Sequence, residues 1–270
     1  MNVRPHPSQF RQRLMRNEIM LGTFIKTPSS HTTELIGSLG FDFVVIDEEH
    51  APFDRVTIDQ ALLGARASGT AGIVRVAETS RAKILSVLDD GATGIMAPHV
   101  DSVEKAQEVV AACRYRAGKR GYSNTNRGGS FGGSSMWTHI DERDAETTVI
   151  AMIEDAEALD VVDDILAVEG LDAVFIGRGD LTAVYGAKDY SDARVQSATK
   201  RVVEAAQKAG KPACLLVSGA EEATLWRSAG VQTFLVSSDQ GFLRSGALKT
   251  RVDFDSLMST SLPPSRLGTR

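Results

Sequence analysis

The run Phe41-Asp42-Phe43-Val44-Val45-Ile46 ends abruptly in Asp47-Glu48-Glu49-His50-Ala51-Pro52. An apolar run this short reads as a strand buried on both faces, as in a parallel sheet. Three carboxylates and a histidine crowded at its carboxyl end are not core, because buried charges need partners. In barrels and doubly wound sheets, chemistry sits at the carboxyl ends of parallel strands. The corner therefore reads as catalytic, and His50 among carboxylates is placed to move protons.

Outward from that strand the same pattern recurs along the whole chain. Strands are expected at Met20–Lys26, Phe41–Ile46, Ala71–Val76, Gly94–Ala97, Thr148–Ile153, Ala173–Ile176, Ala213–Val217 and Thr233–Val236. Helical spacing lies between them, as in Asp59–Ala67, Arg81–Leu88, Val103–Ala112 and Ala193–Ala209. Eight such strands in roughly 250 residues point to an α/β fold, a single (β/α)8 TIM barrel. A doubly wound open sheet is the alternative, but no glycine fingerprint follows the first strand. The barrel is assigned to residues 20–258, behind an N-terminal segment 1–19 whose Ser8–Asn17 forms a short helix closing one end. Residues 259–270 read as a flexible tail, from the prolines, serine, glycine and arginine of Pro263–Arg270. Arg114–Asp144, polar and rich in glycine, is long enough to be a lid and is expected over the catalytic end.

Composition narrows the function classes. Apolar content of 42% with 24% charged residues is that of a soluble globular chain, and a net charge of −5 argues against nucleic-acid binding. Cys113 and Cys214 stand far apart and imply neither a disulfide framework nor a cysteine zinc site. No apolar stretch reaches the roughly 18 residues of a membrane span. Met1–Arg16 is basic without an apolar core, so it is no secretory signal; an arginine-rich transit peptide is the minor reading and a cytoplasmic location the main one.

The expected strand ends carry a coherent set of charges. Arg75 lies in Ile73-Val74-Arg75-Val76, Glu154 follows Met152-Ile153, and Asp180 closes Gly177-Arg178-Gly179-Asp180. Glu154 and Asp180 fall on neighbouring strand ends, where two carboxylates repel unless something positive lies between them. A divalent cation, Mg²⁺ or Mn²⁺, is the simplest answer for oxygen ligands; pairing with Arg75 or Arg178 is the other. Gly177 and Gly179 would let backbone N–H groups approach a substrate carboxylate. Asp89, before Asp90-Gly91, reads by itself as a turn residue. His99 is as well explained by a structural hydrogen bond as by participation, and His6, His31 and His139 receive no role.

Ile46-Asp47-Glu48-Glu49-His50-Ala51-Pro52 and Phe175-Ile176-Gly177-Arg178-Gly179-Asp180-Leu181, with Val74-Arg75 and Leu88-Asp89-Asp90-Gly91-Ala92 between them, resemble the motifs of the HpcH/HpaI aldolases. These are the divalent-metal-dependent pyruvate aldolases, and the likeness runs from about Gly22 to Leu248. It implies cleavage of a 4-hydroxy-2-oxo acid to pyruvate, or a related 2-oxo acid, and an aldehyde, through a metal-stabilised enolate. It implies that Glu154 and Asp180 hold Mg²⁺ or Mn²⁺, with Co²⁺ a further candidate, and that His50 is the base. It assigns Asp89 to orienting His50, Arg75 to the 2-oxo oxygen, and Gly179 and Asp180 to the substrate carboxylate. Asp47, Met152 and Arg127 are further candidates for contact with the substrate or from the lid. Hexamers, as trimers of dimers, are common in that family.

The chain departs from the pattern at Glu48, where many members have glycine. It departs again at Met152, where relatives that cleave hydroxy-oxo-diacids have a glutamine touching substrate, and at Arg178-Gly179, which replaces a proline–alanine pair. Lys26 is the one strand-end lysine available to a rival Schiff-base mechanism. Two other functions stay open: an acyl-CoA lyase of the citrate-lyase-like group, with Lys119, Arg120 and Arg127 for the CoA phosphates, and a catalytically silent oligomer that binds 2-oxo acids.

Overall fold

The computed structural model of the chain describes residues 6–259. The expected tail, beyond its first residue, lies outside the described residues. Eight parallel strands close into a barrel in chain order: β1 (Met20–Ile25), β2 (Phe43–Asp47), β3 (Ala71–Arg75), β4 (Gly94–Ala97), β5 (Thr148–Ile153), β6 (Ala173–Ile176), β7 (Ala213–Val217) and β8 (Thr233–Ser238). The helices are α1 (Phe10–Met15) ahead of β1, α2 (Ser30–Ser38), α3 (Arg55–Ala67), α4 (Arg81–Asp89), α5 (Val103–Cys113), α6 (Met136–Glu146), α7 (Val162–Ala167), α8 (Arg178–Val184), α9 (Ala193–Lys208), α10 (Ala220–Ser228) and α11 (Asp239–Ser259). The fold is a (β/α)8 TIM barrel with a short N-terminal helix, and the expected strands agree with the observed ones to within two residues at either end.

Alternation along the strands decides what the barrel encloses. Successive side chains point to opposite faces, so Val44, Ile46 and Val74 pack outward against the helices. Phe24, Phe43, Val45, Ile73, Met152 and Phe175 fill the interior. Two residues further up each strand, the same inward parity reaches Lys26, Asp47, Arg75 and Glu154. One turn of the pleat thus converts an apolar core into a ring of charges at the mouth.

The opposite end is closed by α1. Phe10 and Leu14 are 2% and 0% exposed and join the interior cluster, with the Phe10 ring 5.2 Å from that of Phe43. Burying two such side chains contributes about 1.5–3 kcal/mol each. Arg11 holds the helix in place through Asp172, with Nε and Nη2 donating to Oδ1 at 3.0 and 2.7 Å.

The segment Arg114–Asp144 is not a lid over the catalytic end. It begins only after α5 has carried the chain back to the amino-terminal ends of the strands, and it includes α6. Arg114 fastens it there, donating to the Thr147 carbonyl at 2.7 Å and to Asp172 at 3.1 Å, while Asp144 accepts from the N–H groups of Tyr115 and Arg116 at 2.9 and 2.8 Å. The expectation failed because spacing places an insertion between strands without saying on which side of the intervening helix it falls. Beyond Phe242, α11 leaves the barrel and exposes Leu243, Leu248, Val252, Phe254, Leu257 and Met258.

Candidate active site

Asp47 and Arg75 are Cα partners on β2 and β3. Both point inward, and Arg75 clasps the carboxylate with Nε to Oδ1 at 3.0 Å and Nη2 to Oδ2 at 2.7 Å. Lys26 Nζ adds a contact at 2.9 Å, and the His50 N–H donates to Oδ1 at 3.1 Å. Asp47 is 0% exposed. Burial by itself would raise its pKa, but the hydrogen bonds and charge of Arg75, helped by Lys26, hold it below the usual carboxylate range. The sequence offered Asp47 as a possible substrate contact, and the structure shows it paired with Arg75 and Lys26 instead. Asp47 has no exposed surface, and its oxygens are spent fixing Arg75, Lys26 and the His50 backbone.

Arg75 lies over the Phe24 ring at 5.0 Å and gives Nε and Nη2 to Asp47. That leaves Nη1 for a cleft of about 310 Å³ whose walls include Lys26, His50, Arg75, Met152, Gly179 and Asp180. Phe24, Phe175, Leu216 and Met152 make one side of this cleft apolar. Lys26, the candidate for Schiff-base chemistry, has its Nζ engaged by the Asp47 carboxylate.

Glu154 stands one residue beyond β5, beside Gly177 at the end of β6. A Cβ at Gly177 would lie 2.4 Å from Glu154 Cβ, so glycine is what lets the two strand ends approach. Glu154 is 2% exposed, and its charged contacts within 4 Å, among the described residues, are with His99 alone. Burial pushes its pKa up, the N–H and ring of His99 pull it partly back, and Asp180 and Glu49 push it further; the result is about 7. Arg178 does not neutralise this pair. It donates to Glu222 at 2.6 Å and to the Leu216 carbonyl, and it stacks on Tyr190 at 4.6 Å. Arg75 is likewise committed to Asp47, so the ion-pair explanation leaves Glu154 and Asp180 without an arginine.

Two residues with no assigned role complete the cluster. Glu49 places Oε1 3.6 Å from His99 Nε2, and its buried Oε2 accepts no hydrogen bond but lies 3.4 Å from Arg75 Nε and 3.8 Å from His50 Nε2. Glu49, His99 and Glu154 each offer a donor atom within 4.8 Å of the others. A buried carboxylate oxygen with no hydrogen bond, a second carboxylate that meets no lysine or arginine among the described residues, and a nearby imidazole fit a divalent cation. Glu49 was legible as one more strand-end carboxylate, but His99 was not. It comes from a loop in which a structural histidine leaves the same trace. Glu48, the departure from the glycine of relatives, has a structural explanation. Its oxygens accept from Lys83 Nζ at 2.5 Å and the Ala77 N–H at 3.2 Å, tying together the loops after β2 and β3.

Asp89 and Arg127 are not at this site. Asp89 ends α4 at the amino-terminal face of the barrel, 3.6 Å from Arg120, and so does not touch the His50 of its own chain. A helix following β3 must end opposite the mouth, and that fact of topology overrides the proximity in sequence. Arg127 is bound to Asp59 on α3 at 2.8 Å. His50 itself is 56% exposed at the mouth.

The mouth of this (β/α)8 barrel joins a cleft lined by Lys26 and Arg75 to a cluster of carboxylates. The sequence profile of the HpcH/HpaI aldolase/citrate lyase family matches residues 20–244, and the chain belongs to that family. It is similar to the 5-keto-4-deoxy-D-glucarate aldolase of Enterobacter sp. (strain 638), 33% identical over 92% of this chain and 97% of the relative. Among solved structures it is similar to an HpcH/HpaI aldolase/citrate lyase family protein from Burkholderia cenocepacia J2315, with a TM-score of 0.87 and 27% identity over 92% of this chain and 99% of the other. It is also similar to the citrate synthase SbnG, with a TM-score of 0.84 and 30% identity over 93% and 98%. Aldolases and citrate lyases both break a carbon–carbon bond, so the chain is an enzyme of the carbon–carbon lyase class.

Proposed function

We propose that this enzyme is a divalent-metal-dependent aldolase that reversibly cleaves a 4-hydroxy-2-oxo acid to pyruvate, or a related 2-oxo acid, and an aldehyde. The observation that carries the reading is that Glu154, which meets no lysine or arginine among the described residues, stands beside Gly177 of the cleft that Arg75 and Asp180 line. Glu154 and Asp180 would hold the cation, Mg²⁺ or Mn²⁺. When bound, it supplies Lewis-acid stabilisation where negative charge builds on the 2-oxo group. Arg75, oriented by Asp47, donates to the 2-oxo oxygen from the other side. Gly179 and Asp180 contact the carboxylate. His50, exposed at the mouth, takes the proton from the 4-hydroxyl group as the aldehyde leaves, and returns it in the reverse direction. Met152 puts an apolar surface where relatives that cleave hydroxy-oxo-diacids carry glutamine, which favours an acceptor less polar than those.

Because Asp89 does not touch the His50 of its own chain, an orienting role for it would have to act between copies of the chain. The exposed apolar side chains of α11 support assembly, and a hexamer is the state the family resemblance favours. The acyl-CoA alternative draws no support from Arg120 and Arg127, which are engaged with Asp89 and Asp59 away from the mouth.

The test is pyruvate release from a panel of 4-hydroxy-2-oxo acids before and after exhaustive chelation. Activity should vanish with chelator and return with Mg²⁺ or Mn²⁺. Full turnover of chelated protein, or borohydride trapping of substrate on Lys26, would refute the proposal.

A further inference from the structure

We infer that His99 is a nitrogen ligand of the divalent cation, held in place by Asp155, so that this site mixes imidazole with carboxylate donors. The inference rests on the metal-dependent reading above. It starts from the backbone. His99 sits at φ 52°, in the left-handed region that a side-chain-bearing residue adopts only under constraint. Two hydrogen bonds impose that conformation: the His99 N–H donates to Glu154 Oε1 at 2.9 Å, and the Val100 N–H to the Met152 carbonyl at 3.1 Å. The turn carries the imidazole over the mouth instead of away from it.

The ring is then oriented through Nδ1, which also lies 3.6 Å from Glu154 Oε1. Nδ1 lies 3.2 Å from both oxygens of Asp155. A proton on Nδ1 donated to that carboxylate leaves the Nε2 lone pair free, and Nε2 faces Glu49 Oε1 at 3.6 Å. Two donors each roughly 2.1 Å from one ion lie roughly 3.0–4.2 Å apart, so this separation suits neighbouring ligands. A carboxylate behind a histidine whose other nitrogen meets a metal is a recurrent arrangement that sets tautomer and basicity. Glu154, which with Asp180 is assigned to the cation above, and Glu49 each bring a donor atom within 4.8 Å of one on His99, so the imidazole joins that set. An imidazole ligand moves preference away from Mg²⁺, which takes oxygen donors, toward Mn²⁺, Co²⁺ and Zn²⁺. The competing account makes His99 an imidazolium that merely offsets the charge of Glu49, Glu154 and Asp155.

The two accounts are separated by pulsed electron paramagnetic resonance on full-length, metal-free protein loaded with Mn²⁺, together with Mn²⁺ and Mg²⁺ binding isotherms. Nitrogen coupling from a directly bound imidazole is expected in the wild type and in His50→Ala, and its loss in His99→Asn. Asparagine is chosen because it tolerates the left-handed backbone. Mn²⁺ affinity should fall at least about tenfold in His99→Asn, with Mg²⁺ affinity changed less, and Asp155→Asn should weaken Mn²⁺ by about tenfold while keeping the nitrogen signal. Should His99→Asn fail to fold, the wild-type spectrum and the Asp155→Asn isotherm decide alone. Tight Mn²⁺ binding with an all-oxygen environment, or a nitrogen signal that survives in folded His99→Asn, would overturn the ligand role and leave the aldolase reading standing. Absence of Mn²⁺ binding by the wild type would overturn both.

Discussion

Replacing Asp47 by asparagine tests how the mouth is organised. The carboxylate is fully buried and compensates two cations, Arg75 at 2.7 Å and Lys26 at 2.9 Å. Removing one partner of a buried ion pair costs about 3–5 kcal/mol. The low end applies here, because Lys26 keeps 29% of its side chain exposed and Glu49, 3.4 Å from Arg75 Nε, takes over part of the charge. A loss of about 3 kcal/mol corresponds to a fall in Tm of roughly 6–12 °C for a chain of this size. The pH dependence follows from the lowered pKa of Asp47. Its stabilisation is present above the unfolded carboxylate value of about 3.9 and is lost as pH falls through the lower folded value. Melting curves of wild type and Asp47→Asn should therefore differ at neutral pH and converge only below about pH 4. Turnover should fall as well, by about tenfold or more, because the guanidinium loses the two-point clasp that aims Nη1 into the cleft; a misplacement of about 1 Å costs about 10². Calorimetry and a pyruvate-release assay read the two effects. An Asp47→Asn protein with unchanged Tm and unchanged kcat would refute the claim that Asp47 positions Arg75.

Three further substitutions probe separate parts of the molecule. His50→Ala should lower kcat by about 10²–10⁴ in steady-state assays and leave Mn²⁺ affinity nearly intact, as expected for a lost general base; near-normal turnover would dismiss that role. Glu154, with a pKa pushed up to about 7 by burial, keeps its proton in the folded, metal-free protein after the unfolded chain has lost it near about 4.3. The metal-free wild type should accordingly lose stability as pH rises between those values, and Glu154→Gln should not. Parallel pH–Tm profiles for the two proteins would contradict this. Phe10→Ala, at the closed end of the barrel, should cost about 3–5 kcal/mol in denaturant titrations without changing kcat, and a loss of activity in folded protein would show that the plug communicates with the mouth.

The strands were legible because each is a short apolar run, and eight such runs separated by helical spacing leave few folds open. The alternation within them also carries the site. Val45 to Asp47, Ile73 to Arg75 and Met152 to Glu154 are steps of two, so once the interior is known the charges above it must face the mouth. The Gly177 step belongs to the same logic, since only a missing Cβ lets Glu154 sit beside the next strand. The reach of that logic ends where the chain leaves a strand. Asp89 and the segment Arg114–Asp144 come after helices that return to the other face, and nothing in their spacing reports that direction. His99 was ambiguous for the same reason, because the backbone turn that swings it over Glu154 is set by hydrogen bonds from a different strand.

Taken alone, the sequence determined the barrel and the strand-end charges that ring its mouth, because both follow from local composition and a fixed period of two, while the family followed from the likeness of its motifs. Tertiary structure alone decided which charges are already spent on one another. Lys26 answers to Asp47, Arg75 to Asp47 and more distantly to Glu49, and Arg178 to Glu222, while donor atoms of Glu49, His99 and Glu154 gather near a common point. Pairing is a matter of distances between strands and loops far apart in the chain, and electrostatic energy depends on those distances.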